Sequence, residues 1–229
     1  MKLKNEKTLP SQHLGAVPTA LTLCLAIWGA ATSESLVHDA LWALGVGYMC
    51  CDFWLWSLHC YLDRLECLKS PIHQIRYLAE LFQGHHDHPR KLLVENHVSE
   101  IDGLCAGSAG LALLLGHWSS AGMKLLVVAH IFWGAVASVN HFYCHAQTCR
   151  FSIPSWSSFA HEWGLLPAPR FHKQHHTAPH DTNWSFLNGL GRFYETCHSL
   201  TGQTYTGAKV AFALSSPVTM QVLGMLGGF

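Results

Sequence analysis

Four long apolar runs constrain this chain more than any other feature of its sequence. They cover residues 16–32, 36–62, 103–118 and 125–146. A helix needs about 20 apolar residues to cross about 30 Å of hydrocarbon, and each run is near this length, the third being the shortest. No alternating strand pattern recurs, and such runs span a membrane as helices. The sequence therefore predicts an all-α polytopic membrane protein with about four transmembrane helices.

The composition agrees with this environment. Hydrophobic residues make up 49% of the chain and charged residues only 12%, whereas an average soluble chain has about 25% charged residues. Lys plus Arg and Asp plus Glu are 14 each, so the formal net charge is zero. These values exclude a typical cytosolic domain, a disordered chain and a basic nucleic-acid-binding protein. We expect a single membrane-embedded domain over residues 1–229. A signal peptide is the alternative for the first apolar run, because Lys residues precede it, but we expect this run to be retained as a span.

The cations predict the orientation of these spans. Four crossings place the N-terminus, the loop at 63–102 and the region after residue 146 on one side. Thirteen of the 14 Lys and Arg residues lie on that side, and Lys124 lies on the other. Because short positively charged loops stay in the cytosol, we expect all three regions to face the cytosol. The residues before the first run contain no convincing Ser/Arg-rich transit sequence, which favours the endoplasmic reticulum or another endomembrane over a plastid.

Ionisable residues in the second run share one face of its predicted helix. Asp52, His59 and Asp63 are spaced by seven and four residues, and both spacings return to the same side of an α-helix. Charged groups are costly in a membrane and usually face a functional interior. We expect Asp63 to bond a metal-binding imidazole or to be a ligand itself. Asp52 lies two turns deeper and is a candidate for the lipid site, although a satisfied polar stripe between helices is the alternative for the whole face.

Two pairs of histidines follow along the chain. His85 and His86 are adjacent, so on a helix they point in different directions and can serve two metal ions, or one ion and one hydrogen bond. His141 and His145 are four residues apart, which stacks two imidazoles on one helix face as in metal-binding helices. Taken alone, the first pair is a weak signal, because a solvated His-rich loop explains it better. For the second pair, a position near lipid headgroups is the alternative.

The motif His172-x-x-His175-His176 is the strongest single signal. Its spacings of three and four residues place His172 on one helix face with both partners. His180 continues the spacing, but Pro179 is expected to end the helix before it. For His180, metal ligand, partner of a ligand and bystander therefore remain open.

Together these motifs supply enough nitrogen donors for two metal ions. The nine candidate ligands are His59, His85, His86, His97, His141, His145, His172, His175 and His176. Two octahedral ions need about eight to ten protein ligands if few waters remain. Structural zinc sites use four ligands and catalytic zinc sites about three from the protein, so two iron ions are the more economical explanation of nine histidines.

The chemistry of such a centre leaves three functions open. Iron beside apolar helices can use dioxygen against a C–H bond of a lipid chain. Removal of two hydrogens gives a double bond, and transfer of oxygen gives a hydroxyl, so a desaturase and a related hydroxylase fit equally. A non-catalytic metal-binding or metal-transport membrane protein is the third possibility, although a transporter places its ligands near the membrane midplane and here most histidines lie at span ends.

In order and spacing, these motifs resemble the lipid desaturase family. The resemblance covers about residues 45–195 and rests on Asp52-x6-His59-x3-Asp63, Gly84-His85-His86-x-x-Pro89, His141-x3-His145 and His172-x2-His175-His176-x2-Pro179-His180. It implies a helical membrane enzyme with a His-ligated di-iron centre. Such an enzyme uses dioxygen and external electrons to introduce a double bond into a lipid chain, with an ether phospholipid or a phosphatidylglycerol-type lipid as substrate. The family's essential histidines correspond to every candidate ligand except His97.

The chain departs from the family pattern at one ligand. The animal branch has a His about nine residues after the adjacent pair, where this chain has Glu95, and His97 follows two residues later. Either residue can replace the missing ligand. Gln83-Gly84-His85-His86 is more similar to the plant branch and Ala178-Pro179-His180 to the animal and bacterial branches, so the branch and the substrate remain open. The sequence has no haem-binding, flavin or Cys-ligated cluster motif, which implies a separate electron donor that is cytochrome b5-like or ferredoxin-like.

Overall fold

In the computed structural model, the described part of the chain is helical wherever it is regular. The described residues are 16–90, 93, 107, 109–115, 120–177, 179–187, 190–200, 202–216, 219, 222 and 226. The helices are α1 Ala16–Thr32, α2 Leu36–Leu62, α3 His73–Asp87, α4 Ala121–Thr148, α5 Ser155–Glu162, α6 Pro169–His175, α7 Gly191–Leu200 and α8 Tyr205–Ser215, with a 3-10 helix at Leu65–Lys69. Residues 109–115 are also helical. Within these ranges there is no strand, which confirms the all-α class.

Two of the helices are long and apolar enough to cross a membrane. They are α2, with 27 residues, and α4, with 28, and both lie where the apolar runs predict spans. α1 coincides with the first run, but its 17 residues extend only about 26 Å at 1.5 Å per residue. The third predicted span, 103–118, lies largely outside the described residues. Two candidate spans are therefore found where the sequence predicts about four crossings.

α2 and α4 pack closely along their length. A Cβ atom on Gly47 would lie only 2.7 Å from the Cβ of Ala129, so the absence of a side chain at this position sets the approach of the two helices. Trp133 also donates a hydrogen bond from Nε1 to the carbonyl of Leu44 at 3.1 Å. Close packing of helices that run in the same direction brings their C-terminal ends together, and these ends carry the histidines of both runs.

Side-chain caps begin two of the helices. The hydroxyl of Ser120 accepts a hydrogen bond from the backbone N–H of Met123 at 3.2 Å and starts α4. Thr204 does the same for Gly207 at 3.1 Å and starts α8, since a hydroxyl before a helix satisfies one of its free N–H groups. α6 begins at Pro169, whose missing N–H costs nothing in the first turn.

The described residues between α6 and α7 are irregular and are held by side chains of α2 and α4. The indole of Trp184 in this segment is buried. The carboxylate of Asp52 accepts a hydrogen bond from the backbone N–H of Leu190 at 2.8 Å, and Asn140 donates from Nδ2 to the carbonyl of Phe186 at 3.2 Å. Buried backbone groups outside helices need such partners. Asp52 is fully buried and therefore faces the protein interior, not lipid.

Candidate metal centre

The structure gathers two groups of potential metal ligands at the C-terminal ends of α2 and α4. In each group, every residue offers one ligand atom, and these atoms lie within 4.8 Å of one another. The first group consists of His85, His141, His145, His172 and His176. The second group consists of His59, Asp63, His86 and His175. Four elements contribute to this centre, namely the end of α2, the end of α3, the end of α4 and α6.

The first group contains imidazoles alone. The Nε2 atoms of His141 and His145 are 3.0 Å apart, those of His145 and His172 are 2.9 Å apart, and those of His172 and His176 are 3.0 Å apart. The ring of His85 lies 4.9 Å from that of His176, centroid to centroid. Its Nε2 is buried and has no hydrogen-bond partner among the described residues.

The second group combines imidazoles with one carboxylate. Asp63 lies between three imidazoles, with its oxygens 3.5 Å from Nε2 of His59, 3.6 Å from Nε2 of His86 and 3.4 Å from Nε2 of His175. The Nε2 atoms of His86 and His175 are 2.9 Å apart. Asp63 therefore stands among the ligand atoms of this group, where the sequence left open whether it is a ligand or only a partner of one.

Helical periodicity divides the adjacent histidines between the two groups. Successive residues on an α-helix are separated by about 100°, so His85 points to the first group and His86 to the second. Relative to His175, in the second group, His176 is rotated by about 100° and His172 by about 60°, and both of these belong to the first group. The sequence places all three on one helix face, but the structure shows that this face is wide enough to serve both groups.

The geometry of both groups fits metal ions. With metal–nitrogen bonds of about 2.1 Å, ligand nitrogens at right angles lie about 3.0 Å apart, close to the Nε2 separations of 2.9–3.0 Å. The buried Nε2 of His59, like that of His85, lacks a hydrogen-bond partner among the described residues. Buried polar atoms normally have hydrogen-bond partners. Imidazole nitrogens that converge without a hydrogen-bond donor between them therefore indicate a site for a metal cation.

Burial keeps the imidazoles outside the spans in the neutral form that binds metal. Loss of solvation, reinforced by neighbouring imidazoles, lowers the pKa of His85 and His172 well below the usual value. Burial also lowers the pKa of His86 to about 2, that of His175 to about 3 and that of His176 to about 4. At neutral pH their lone pairs are therefore free, and metal binding does not have to displace protons from imidazolium ions.

The same burial acts on the carboxyl group. Desolvation raises the pKa of Asp63 well above its usual value, against the opposing effect of the hydrogen bond from Trp184. Without a cation, burial therefore favours the neutral form of Asp63 beside the three imidazoles. A metal ion in this group would supply the positive charge that makes the carboxylate form favourable.

Backbone carbonyls fix the orientation of two potential ligands in the second group. His59 donates from Nδ1 to the carbonyl of Trp184 at 3.1 Å, and His175 donates from Nδ1 to the carbonyl of Thr182 at 2.9 Å. The proton on Nδ1 leaves Nε2 as the free donor atom toward the group. Trp184 also donates from Nε1 to Asp63 at 3.0 Å, so one residue positions two members of the group.

His180 belongs to neither group. Its Nδ1 donates to the carbonyl of His175 at 2.8 Å, and its ring stacks on that of His86 with centroids 4.5 Å apart. It therefore packs against two potential ligands of the second group, His86 and His175. Its φ of 62° places it in the left-handed region, so the chain turns at His180 after α6 has ended.

The two groups contain eight of the nine histidines that the sequence singles out as ligands. His97 and Glu95, the two candidates for the missing family ligand, lie outside the described residues. Asp52 is in neither group. The sequence offers no signal for the supporting contacts from Thr182, Phe186 and Asn140, because backbone carbonyls and a lone Phe or Asn carry no recognisable spacing.

The comparison with known families agrees with this arrangement. The model of the lipid desaturase domain matches residues 48–194, which is more than half of the chain and includes every member of both groups. No curated protein and no solved structure gives a significant match. On the strength of the domain match, this chain belongs to the lipid desaturase family.

Proposed function

We propose that this chain is a membrane-bound di-iron enzyme that introduces a double bond into an alkyl or acyl chain of a phospholipid, using dioxygen and electrons from a separate donor. One observation carries the proposal. Two buried groups with nine ligand atoms, eight from imidazoles and one from a carboxylate, share a single centre in a chain of the lipid desaturase family.

The donor set supports iron. Imidazole with carboxylate suits iron, copper and zinc, but structural zinc sites are closed by four ligands and catalytic zinc sites use about three from the protein. A first group with five imidazoles exceeds both numbers. Iron accepts a higher coordination number than these zinc sites use. Iron also changes its oxidation state, whereas zinc has no redox chemistry.

The overall reaction balances without any other reactant. Two hydrogens leave adjacent methylenes of the lipid chain, and two electrons from the donor with two protons complete the reduction of one dioxygen to two waters. Bound iron supplies the one-electron chemistry that removes hydrogen from an unactivated methylene. The residues of the chain supply neutral imidazoles, the negative charge of Asp63 and a buried centre from which water is excluded.

Aromatic side chains support a position of this centre near a membrane surface. α5 follows the end of α4 and exposes Trp156 and Phe159, while Trp163 is exposed directly after α5. Trp is enriched where membranes meet water. Together with the cation distribution, this supports spans that place the centre at the cytosolic face of an endomembrane, where a soluble or anchored donor can reach it.

The proposal is tested by metal analysis and lipid analysis of the same protein. Purified chain is expected to contain about two irons per molecule, and cells that express it are expected to gain a lipid double bond that is absent when His172→Ala is expressed at the same level. A new hydroxyl group in place of the double bond would assign the related hydroxylase. Two tightly bound zinc ions without any new lipid would refute an oxygen-using enzyme and favour a metal-binding protein.

A further inference from the structure

The ring of Phe186 touches imidazoles of both metal-ligand groups. It stacks on His59 of the second group, with ring centroids 4.7 Å apart and planes 20° apart. It also lies 4.4 Å from His141 of the first group and 6.2 Å from His172. The side chain is buried. Phe186 therefore forms a wall of the centre next to the ends of α2 and α4.

Phe186 also belongs to an apolar seam between the two candidate spans. The buried members of this α2–α4 seam include Cys51, Leu55 and Ala137, and Tyr48 and Trp133 pack against them. The seam runs from the histidines into the part of the chain that is long and apolar enough to cross a membrane. An alkyl chain is apolar, so the apolar side of the centre is the side that it can approach without leaving polar groups unpaired.

Hydrogen bonds anchor the backbone on which the Phe186 ring is carried, at Trp184 and at Phe186 itself. The carbonyl of Trp184 accepts from His59, and the carbonyl of Phe186 accepts from Nδ2 of Asn140 at 3.2 Å. The amide oxygen of Asn140 in turn accepts from Nε2 of His161 at 2.7 Å. Asn140 directly precedes His141, so the bond that holds Phe186 comes from the same turn of α4 that carries a ligand. The ring is thus fixed relative to the centre.

We propose that Phe186 is a specificity-determining residue for the lipid chain. Its ring forms the end wall of the space in which the chain meets the metal centre, and so decides which methylenes lie next to the metals. This inference rests on the proposed desaturase function. A smaller side chain at position 186 would let the lipid chain shift along the seam, and different carbons would then react.

The test compares Phe186→Ala and Phe186→Leu with the unaltered protein and with Phe82→Ala. Phe82 is the matched control because its ring also touches both groups, at 5.3 Å from His59 and 6.1 Å from His85, but belongs to a different apolar cluster. Each protein is expressed in the same cells. Its metal content is measured after purification, and the positions of new double bonds in the cell lipids are determined by ozonolysis with mass spectrometry.

We expect metal content to be unchanged in both Phe186 variants. In Phe186→Ala the ratio of double bonds at neighbouring positions to those at the normal position should rise about 10-fold or more, since one methylene in an apolar pocket is discriminated by about that factor. Phe186→Leu should give a smaller rise. Phe82→Ala should leave the position unchanged.

Three results would overturn the inference while leaving the desaturase function in place. These are an unchanged double-bond position in Phe186→Ala, loss of metal from both Phe186 variants, and an equal shift in Phe82→Ala, which would show general loosening of the centre. Absence of any new double bond with the unaltered, iron-loaded protein would overturn the desaturase function, and the role of Phe186 with it.

Discussion

Replacement of Asp63 by Asn should remove one metal ion and leave the fold intact. Asp63 is the one carboxylate among the ligand atoms of the two groups, so the substitution removes the negative charge of the second group but none of its imidazoles. The first group has five imidazoles and no carboxylate. We therefore expect the metal content to fall from about two ions per chain to about one.

The size of the effect follows from the position of the carboxylate. Removing a group that only supports a metal ligand costs about 10- to 100-fold in metal affinity. Asp63 lies 3.4–3.6 Å from three Nε2 atoms and is a potential ligand itself. If it binds the metal, the loss should reach at least the upper end, about 2.7 kcal/mol. The metal-free fold should lose little stability, because burial already favours the neutral form of Asp63 by raising its pKa and the Asn oxygen can still accept from Trp184.

Metal per chain and chelator competition on purified protein measure the affinity, and thermal unfolding of the metal-free form measures the stability. Asp52→Asn is the matched control. It is the same change within α2, whose last residue directly precedes Asp63. Asp52 is a buried carboxylate that belongs to neither group and accepts from the N–H of Leu190, which an Asn oxygen can also do. If Asp63→Asn holds two ions at unchanged affinity, Asp63 is not a ligand. If the metal-free variant is unfolded, the expectation that a neutral side chain is tolerated at position 63 is wrong.

Three further perturbations test other parts of the structure. His175→Ala should weaken metal binding in the second group by at least about 10-fold, seen as one metal lost by chelation before the other, and equal loss of both would contradict two separate groups. Gly47→Ala places a Cβ 2.7 Å from that of Ala129 and should destabilise the protein by about 1–3 kcal/mol in thermal unfolding, whereas Gly45→Ala, where nothing lies within 4 Å, should not. The exposed Cys197 should react with an impermeant maleimide only after the membrane around the cytosol is opened, and labelling from the other side would reverse the predicted topology.

Local signals in the sequence are sufficient for the two long helices and for most of the potential ligands. The bounds of α2 coincide with an apolar run because helix formation in such a run depends on its length and hydropathy alone. Side chains of adjacent residues on a helix point about 100° apart, so the sequence predicts that His85 and His86 point in different directions. Residues four apart lie on one side of a helix, so it predicts that His141 and His145 point in the same direction. The all-α class and the ligand types need no knowledge of distant contacts.

Contacts between distant parts of the chain decide how these ligands are distributed. His86 meets His175 across 89 residues, and His172 meets His145 across 27, so no local spacing could assign them to their groups. The position of Asp63 among the ligand atoms and the wall formed by Phe186 also depend on the irregular segment after α6, which is held in place by side chains of α2 and α4. Periodicity fixes the direction of a side chain relative to its own helix, but only the packing of α2, α3, α4 and α6 determines which side chains share one centre.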